Sequence, residues 1–117
     1  MFSLPKLFRL KNENQIKLLF DKGKTITYGG ITLKYLQTND ELKVGFSAPK
    51  RRFPKAVLRN KIKRRMRESF RLQYREILGV DFKGLGYFIF TSKKEVKTSD
   101  VHRTFTNILT KWKNSEA

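Results

Sequence analysis

Residues 56 to 71 read AVLRNKIKRRMRESFR. Within this stretch Arg59, Asn60, Lys63, Arg64, Arg67 and Arg71 recur three or four residues apart, and Lys50, Arg51 and Arg52 stand just upstream. The chemistry open to such a set is the binding of a polyanion. Guanidinium forks match pairs of phosphate oxygens, lysines add point charge, and the Asn60 amide can bond a base edge or a sugar hydroxyl. Between positions 50 and 75 there are 12 Lys or Arg residues and one acid, Glu68. The i,i+4 ion pairs that lace an ordinary solvated helix are therefore nearly missing. Charges arranged in this way repel one another until phosphates neutralise them.

Other chemistries lack their residues. A metal-dependent nuclease holds its ions with clustered carboxylates, whereas the ten acids here are scattered along the chain. Acid–base cleavage more often uses histidines. His102, beside Arg103, is the one histidine, and a structural or surface role suits it better than catalysis. With no cysteine, a disulfide framework, a thiolate zinc site and a cysteine nucleophile are all excluded. We therefore expect no catalytic residue and no metal site in the protein itself. A cysteine-free chain fits a reducing, cytoplasmic location.

The overall balance points the same way. Lys and Arg number 27 against 10 acids in 117 residues, a net charge of +17. A domain so charged seeks a polyanion: nucleic acid first, an anionic membrane surface second. Ten phenylalanines argue for a packed core rather than a disordered basic arm. The length suits a single domain over 1–117. Apolar runs such as YFIF are too short to span a bilayer, and the opening MFSLPKLFRLKN lacks the pattern of a signal peptide. No membrane association is expected.

The elements that must position the basic residues can be read in order. NENQIKLLFDKG reads as a helix, with Asn12 as N-cap, Gln15 at the capping-box position, Ile16, Leu19 and Phe20 on one face, and Gly23 after its end. Strands follow near 25 to 28, at ITLKYLQ and at LKVGFSA, where Leu42, Val44, Phe46 and Ala48 alternate with polar or small residues. TNDE between the last two reads as a hairpin turn. A long helix is expected from about 54, with Pro54 in its first turn, to 77, before Gly79. On a wheel at about 100° per residue, Leu58, Ile62, Met66 and Phe70 cover one side while the basic residues and Asn60 fill the next sector. GYFIFTS is a further strand, and TSDVHRTFTNILTKWKN a closing helix capped by Thr98 or Ser99, with Val101, Phe105, Ile108, Leu109 and Trp112 as its stripe. The order αβββαβα implies an α+β domain of two layers on a mixed sheet of about four strands.

The Arg59-Asn60, Lys63-Arg64 and Arg67-Glu68-Ser69-Phe70-Arg71 string resembles the signature of the bacterial ribonuclease P protein subunit. RLKNENQIKLLFDKGK is similar to that family's opening helix, and LKVGFSAPKR to its third strand and the basic turn that follows. The resemblance covers most of the chain. It implies a fold with an unusual left-handed βαβ crossover through the basic helix, where general chain physics favours a right-handed one. It also implies a partner, the catalytic RNA of ribonuclease P, bound one to one. That RNA removes the 5′ leader of precursor transfer RNA using Mg²⁺ held mainly by RNA and substrate.

Two surfaces follow from the resemblance. One, for the catalytic RNA, comprises Lys50, Arg51, Arg52, Arg59, Asn60, Lys63, Arg64, Arg67 and Arg71. The other, a cleft for the single-stranded leader, comprises Ile16, Lys17, Phe20, Lys34 and Tyr35, with Tyr28 as a possible neighbour. The cleft departs from the family pattern. Ile16 stands where an aromatic is common, and Lys34 where tyrosine is common, so less stacking and more charge are expected. Phe53-Pro54 replaces a glycine-containing turn. Without the resemblance, a structural RNA-binding protein of the ribosomal type, a membrane-surface protein and a stand-alone nuclease remain as alternatives.

Overall fold

The computed structural model of the chain describes residues 9–92 and 98–115. Its elements are α1 (Glu13–Lys22), β1 (Lys24–Tyr28), β2 (Ile31–Glu41), β3 (Lys43–Ser47), α2 (Ala56–Ile77), β4 (Lys83–Phe90) and α3 (Thr98–Ser115). This is the expected αβββαβα order of an α+β domain. The strands form a mixed sheet in the order β1-β2-β4-β3. β1 and β2 make a hairpin closed by Gly29 and Gly30, whose positive φ angles of 57° and 84° are those of a two-residue turn matched to strand twist. β4 lies between β2, to which it is antiparallel, and β3, to which it is parallel. The parallel pair is joined through α2, so the basic helix is the crossover.

The expected hairpin at TNDE does not form. Residues 38 to 41 continue β2, with a register irregularity before Glu41 pairs with Lys83. Only Leu42 separates β2 from β3. One residue is too short for a hairpin loop, and Leu42 is buried in the core. β3 pairs with β4 instead, where the Phe46 ring stacks on Phe88 at 5.4 Å. β4 begins at Lys83, earlier than expected, and Thr91 and Ser92 both donate backbone N–H groups to the Gly30 carbonyl beyond its end.

Strand alternation gives the sheet two different faces. Ile31, Leu33, Tyr35, Val44, Phe88 and Phe90 pack with α2 and α3 into the main core. Leu85, Leu36 and Tyr87 turn the other way and meet Leu10 and α1 residues Ile16 and Leu19. The sheet with α2 and α3 makes the two main layers, and α1 covers part of the opposite face.

The helix ends follow from local chemistry. Asn12 Oδ1 accepts from the Asn14 and Gln15 N–H groups at 2.9 and 3.1 Å, the expected N-cap. Gly23 closes α1 in extended rather than left-handed conformation; its N–H reaches the Leu19 carbonyl at 2.7 Å, and a Cβ there would strike that carbonyl. α2 starts at Ala56, so Pro54 lies before the helix, and the Lys55 N-cap offers no side-chain acceptor. Arg59 instead bonds the Phe53 and Pro54 carbonyls at 2.9 and 2.8 Å, fixing the chain as it enters the helix. Gly79, at φ 96°, ends α2 with its N–H on the Tyr74 carbonyl. α3 buries Val101, Phe105, Ile108, Leu109 and Trp112 as expected. It begins at Thr98, with Ser99 inside its first turn; the position before it lies outside the described residues. Gln73 of α2 ties the two helices, donating to the His102 carbonyl at 3.0 Å and accepting from Thr106 Oγ1. No described helix is long and apolar enough to cross a membrane.

Candidate nucleic-acid interface

α2 is held to the sheet by Ile62, Met66 and Phe70, all buried, with Leu58 packed at the edge of the core. That anchorage determines which way the polar residues face. Asn60 and Arg64 are exposed, and Lys63 and Arg67 are half-buried beside them. Lys50, Arg51 and Arg52, in the turn after β3, are exposed near the start of the helix. The sequence-predicted set does not act as one uniform surface, however. Arg59 is engaged with the loop carbonyls described above. Arg52 donates to the Thr91 carbonyl at the end of β4. Arg71 pairs with Glu68 at 2.8 Å. These three shape the surface as well as charge it, while Asn60 and Arg64 lie open.

Arg67 carries an electrostatic signature. Burial is the main cause that holds its guanidinium below the usual arginine range, and the charges of Arg9 and Arg64 push in the same direction. Cations crowded at a partly desolvated place favour an incoming anion.

On the other face of the sheet, α1 brings Phe20 against Tyr87, ring edge to ring face, with centroids 5.5 Å apart. Lys34 is the cross-strand partner of Tyr87 and points the same way. An aromatic pair beside a lysine is the combination that holds single-stranded nucleic acid by stacking and charge. Ile16 packs against the Leu10, Leu19 and Leu85 cluster, and Lys17 is exposed on the helix. Tyr35 does not belong to the cleft. Period-two alternation turns it to the other face, where it is 6% exposed and its ring lies 6.1 Å from that of Trp112. Tyr28 faces the α3 side too, with the Lys111 ammonium 4.9 Å from its ring centroid.

The match to known proteins agrees with this geometry. Residues 4–114 fit the family model described as Ribonuclease P. The chain belongs to that family. The Ribonuclease P protein component of Nitrosococcus oceani is 35% identical over 79 residues, covering 67% of this chain and 66% of that protein. The Ribonuclease P protein component of a Thermoanaerobacter species (strain X514) is 28% identical over 98 residues, covering 83% and 79%. Among solved structures, the RNase P protein of Staphylococcus aureus superposes with a TM-score of 0.77 at 23% identity, over 91% of this chain and 95% of that one. The RNase P protein from Thermotoga maritima gives 0.75 at 25% identity, over 88% and 96%.

Within the ribonuclease P family frame, the structure adds residues that sequence reasoning passed over. Tyr87, the cross-strand partner of Lys34, brings a second ring beside Phe20; its place in GYFIF, between Gly86 and Phe88, was the available signal. Arg9 and Lys11 come beside Arg67 because Arg9 bridges to Val44 of β3. Among the described residues, no three His, Asp or Glu side chains gather as metal ligands.

Proposed function

We propose that this chain is the protein component of a ribonuclease P holoenzyme, acting in the cytoplasm with one catalytic RNA per protein. In this reading the RNA, with Mg²⁺ bound to RNA and substrate, hydrolyses the phosphodiester at the 5′ end of mature transfer RNA. The protein contributes no catalytic residue. It stabilises the folded RNA through α2 and the basic turn before it, and it holds the 5′ leader between α1 and the sheet.

The observation that carries the reading is the placement of a cationic helix as the crossover of a sheet whose opposite face sets Tyr87 and Lys34 beside Phe20 of α1. One small domain thereby offers two surfaces at once. The α2 surface suits a folded RNA, whose helices are met mainly through phosphates and 2′-hydroxyls. The α1 face suits a single strand. Holding both raises the affinity for a substrate that carries a leader, and it lowers the Mg²⁺ needed because protein cations replace part of the counter-charge.

The test is reconstitution. Purified protein mixed with ribonuclease P RNA is expected to lower the Mg²⁺ requirement and the KM for leader-bearing precursor, while the protein alone stays inert. Cleavage by the protein without RNA would overturn the division of labour. Failure to bind or help the RNA would leave a structural RNA-binding protein as the better description.

A further inference from the structure

β2 leaves its partners before it ends. β1 pairs with it only as far as Tyr35. Against β4 the ladder runs to Leu36 and Leu85, and the next pair is Glu41 with Lys83. Gln37, Thr38, Asn39 and Asp40 therefore stand opposite Gly84 alone, with no cross-strand partner among the described residues. The irregularity is fixed by close packing, since a Cβ on Gly84 would come within 2.9 Å of the Leu36 carbonyl oxygen. The Asp40 N–H donates to Thr38 Oγ1 at 3.2 Å. The backbone of Gln37, Thr38 and Asn39 is left as a short free strand edge, and all three residues are exposed or half-buried. Such an edge is a template for another extended chain.

The turn that joins α2 to β4 faces this edge. A cavity of about 610 Å³ lies between Gln37, Thr38 and Asn39 on one side and residues 78–83 on the other, with Lys113 in its wall. The Lys113 ammonium is engaged, donating to the Leu78 carbonyl at 2.9 Å. A second cavity, of about 380 Å³, shares the residues 80–83 of that turn and is floored by Leu42, Tyr74 and Phe82. Val80 lines both cavities and is 75% exposed. The charged residues around the second cavity are Glu41, Asp81 and Lys83. Two carboxylates against one ammonium is an exception in a chain of net charge +17. Neither carboxylate has an ion-pair partner among the described residues.

We propose that this end of the molecule docks an extended segment of a partner protein, which adds as a strand along residues 37–39 and carries an apolar side chain next to a lysine or arginine. The free edge supplies backbone hydrogen bonds, the hollow of Leu42, Tyr74, Val80 and Phe82 takes the apolar side chain, and Glu41 and Asp81 hold the cation. Charge selects the occupant. A phosphate here would meet two carboxylates, whereas a cationic peptide is repelled by most of the surface and finds opposite charge at this place. The turn follows the C-terminal end of α2. From Asn60 to Leu78 is roughly 27 Å along a helix axis, so a peptide at this end leaves the basic start of α2 open.

The experiment is selection of random decapeptides displayed on phage against the full chain, in excess heparin so that the basic surfaces are occupied. The recovered sequences are expected to pair an apolar residue with lysine or arginine. A synthetic copy should bind saturably by fluorescence anisotropy and slow amide exchange at residues 37–39. N-methylation of alternate amides in the peptide should weaken it roughly tenfold or more. Val80→Ser and Asp81→Asn, both at exposed positions, should each weaken it several-fold. N-methylation leaves the protein untouched, so the test survives a variant that does not fold. No enrichment over a protein-free control, undiminished binding of the N-methylated peptide, or slowed exchange only at other residues would overturn the docking edge. Peptide-free protein that sediments as a dimer, and as a monomer once Val80 is replaced by serine, would make a second copy the occupant and overturn the assignment to a partner protein.

Discussion

Tyr87 of β4 stands edge-on to Phe20 of α1, with ring centroids 5.5 Å apart and planes inclined at 69°. The two residues are far apart in sequence and meet because α1 packs over the end of the sheet where β4 is central. If a leader base stacks here, Tyr87→Ala and Phe20→Ala should each weaken binding of leader-bearing precursor by about 1–3 kcal/mol. A substrate without a leader should be unaffected. Phe20 is 40% exposed, so its loss should change stability little. The measurement is KM for the two substrates under single-turnover conditions. Equal effects on both would refute the cleft.

Gly45 controls the position of that ring. A Cβ on Gly45 would collide with Cδ1 and Cε1 of Tyr87. Gly45→Ala should therefore displace the ring and reproduce the leader defect of Tyr87→Ala with Tyr87 still present. Combining both substitutions should add little beyond either alone. Full additivity in that double-mutant cycle would show that Gly45 acts elsewhere.

The exposed part of α2 separates charge from hydrogen bonding. Arg64→Ala should weaken assembly with the RNA and lower its salt slope by about one. Asn60→Ala should weaken assembly with the slope unchanged, since no charge is lost. Both residues are exposed, so thermal unfolding should stay within about 0.5 kcal/mol of the parent. Filter binding across a salt series reads both quantities.

Arg67 yields a prediction about pH. Its lowered pKa means that folding disfavours the proton on this guanidinium. The group is nevertheless charged in both folded and unfolded states below the folded pKa, so its unfavourable contribution is constant across ordinary pH and disappears only in strong alkali. Arg67→Met should thus raise the Tm of the free protein equally at pH 6 and pH 8, while RNA binding falls. A gain confined to one pH would refute this account.

The core has a clear weak point. Phe88 is fully buried and its ring lies 4.7 to 6.2 Å from those of Phe46, Phe70, Phe105 and Trp112. Phe88→Ala should cost about 3–5 kcal/mol, measured by urea unfolding. Assembly should fail only as far as the fold does.

Period and charge alone determined much of this protein. The apolar stripe of Ile62, Met66 and Phe70 beside a sector dense in Arg and Lys dictated a helix with one face for a core and another crowded with positive charge. The alternation in β3 and the stripe of α3 were equally legible, because each depends only on neighbours within one element. The αβββαβα order followed from these and from the glycines.

Tertiary structure decided what depends on partners distant in sequence. TNDE carries turn-forming residues, yet β2 runs through it, since β4 competes for the same strand edges and a single buried Leu42 cannot close a hairpin. Alternation already turns Tyr35 away from the Lys34 face, but only packing shows that it enters the core and that Tyr87 faces Phe20. Arg59 and Arg52 carry the same charge as Arg64 but bond to loop carbonyls, those of Phe53, Pro54 and Thr91, that helical spacing does not reveal. The neighbourhood of Arg9, Lys11 and Arg67 exists because a bridge from Arg9 to Val44 brings the segment just before α1 beside the basic helix. Local spacing tells which way a side chain points on its own element, and packing decides what it meets there.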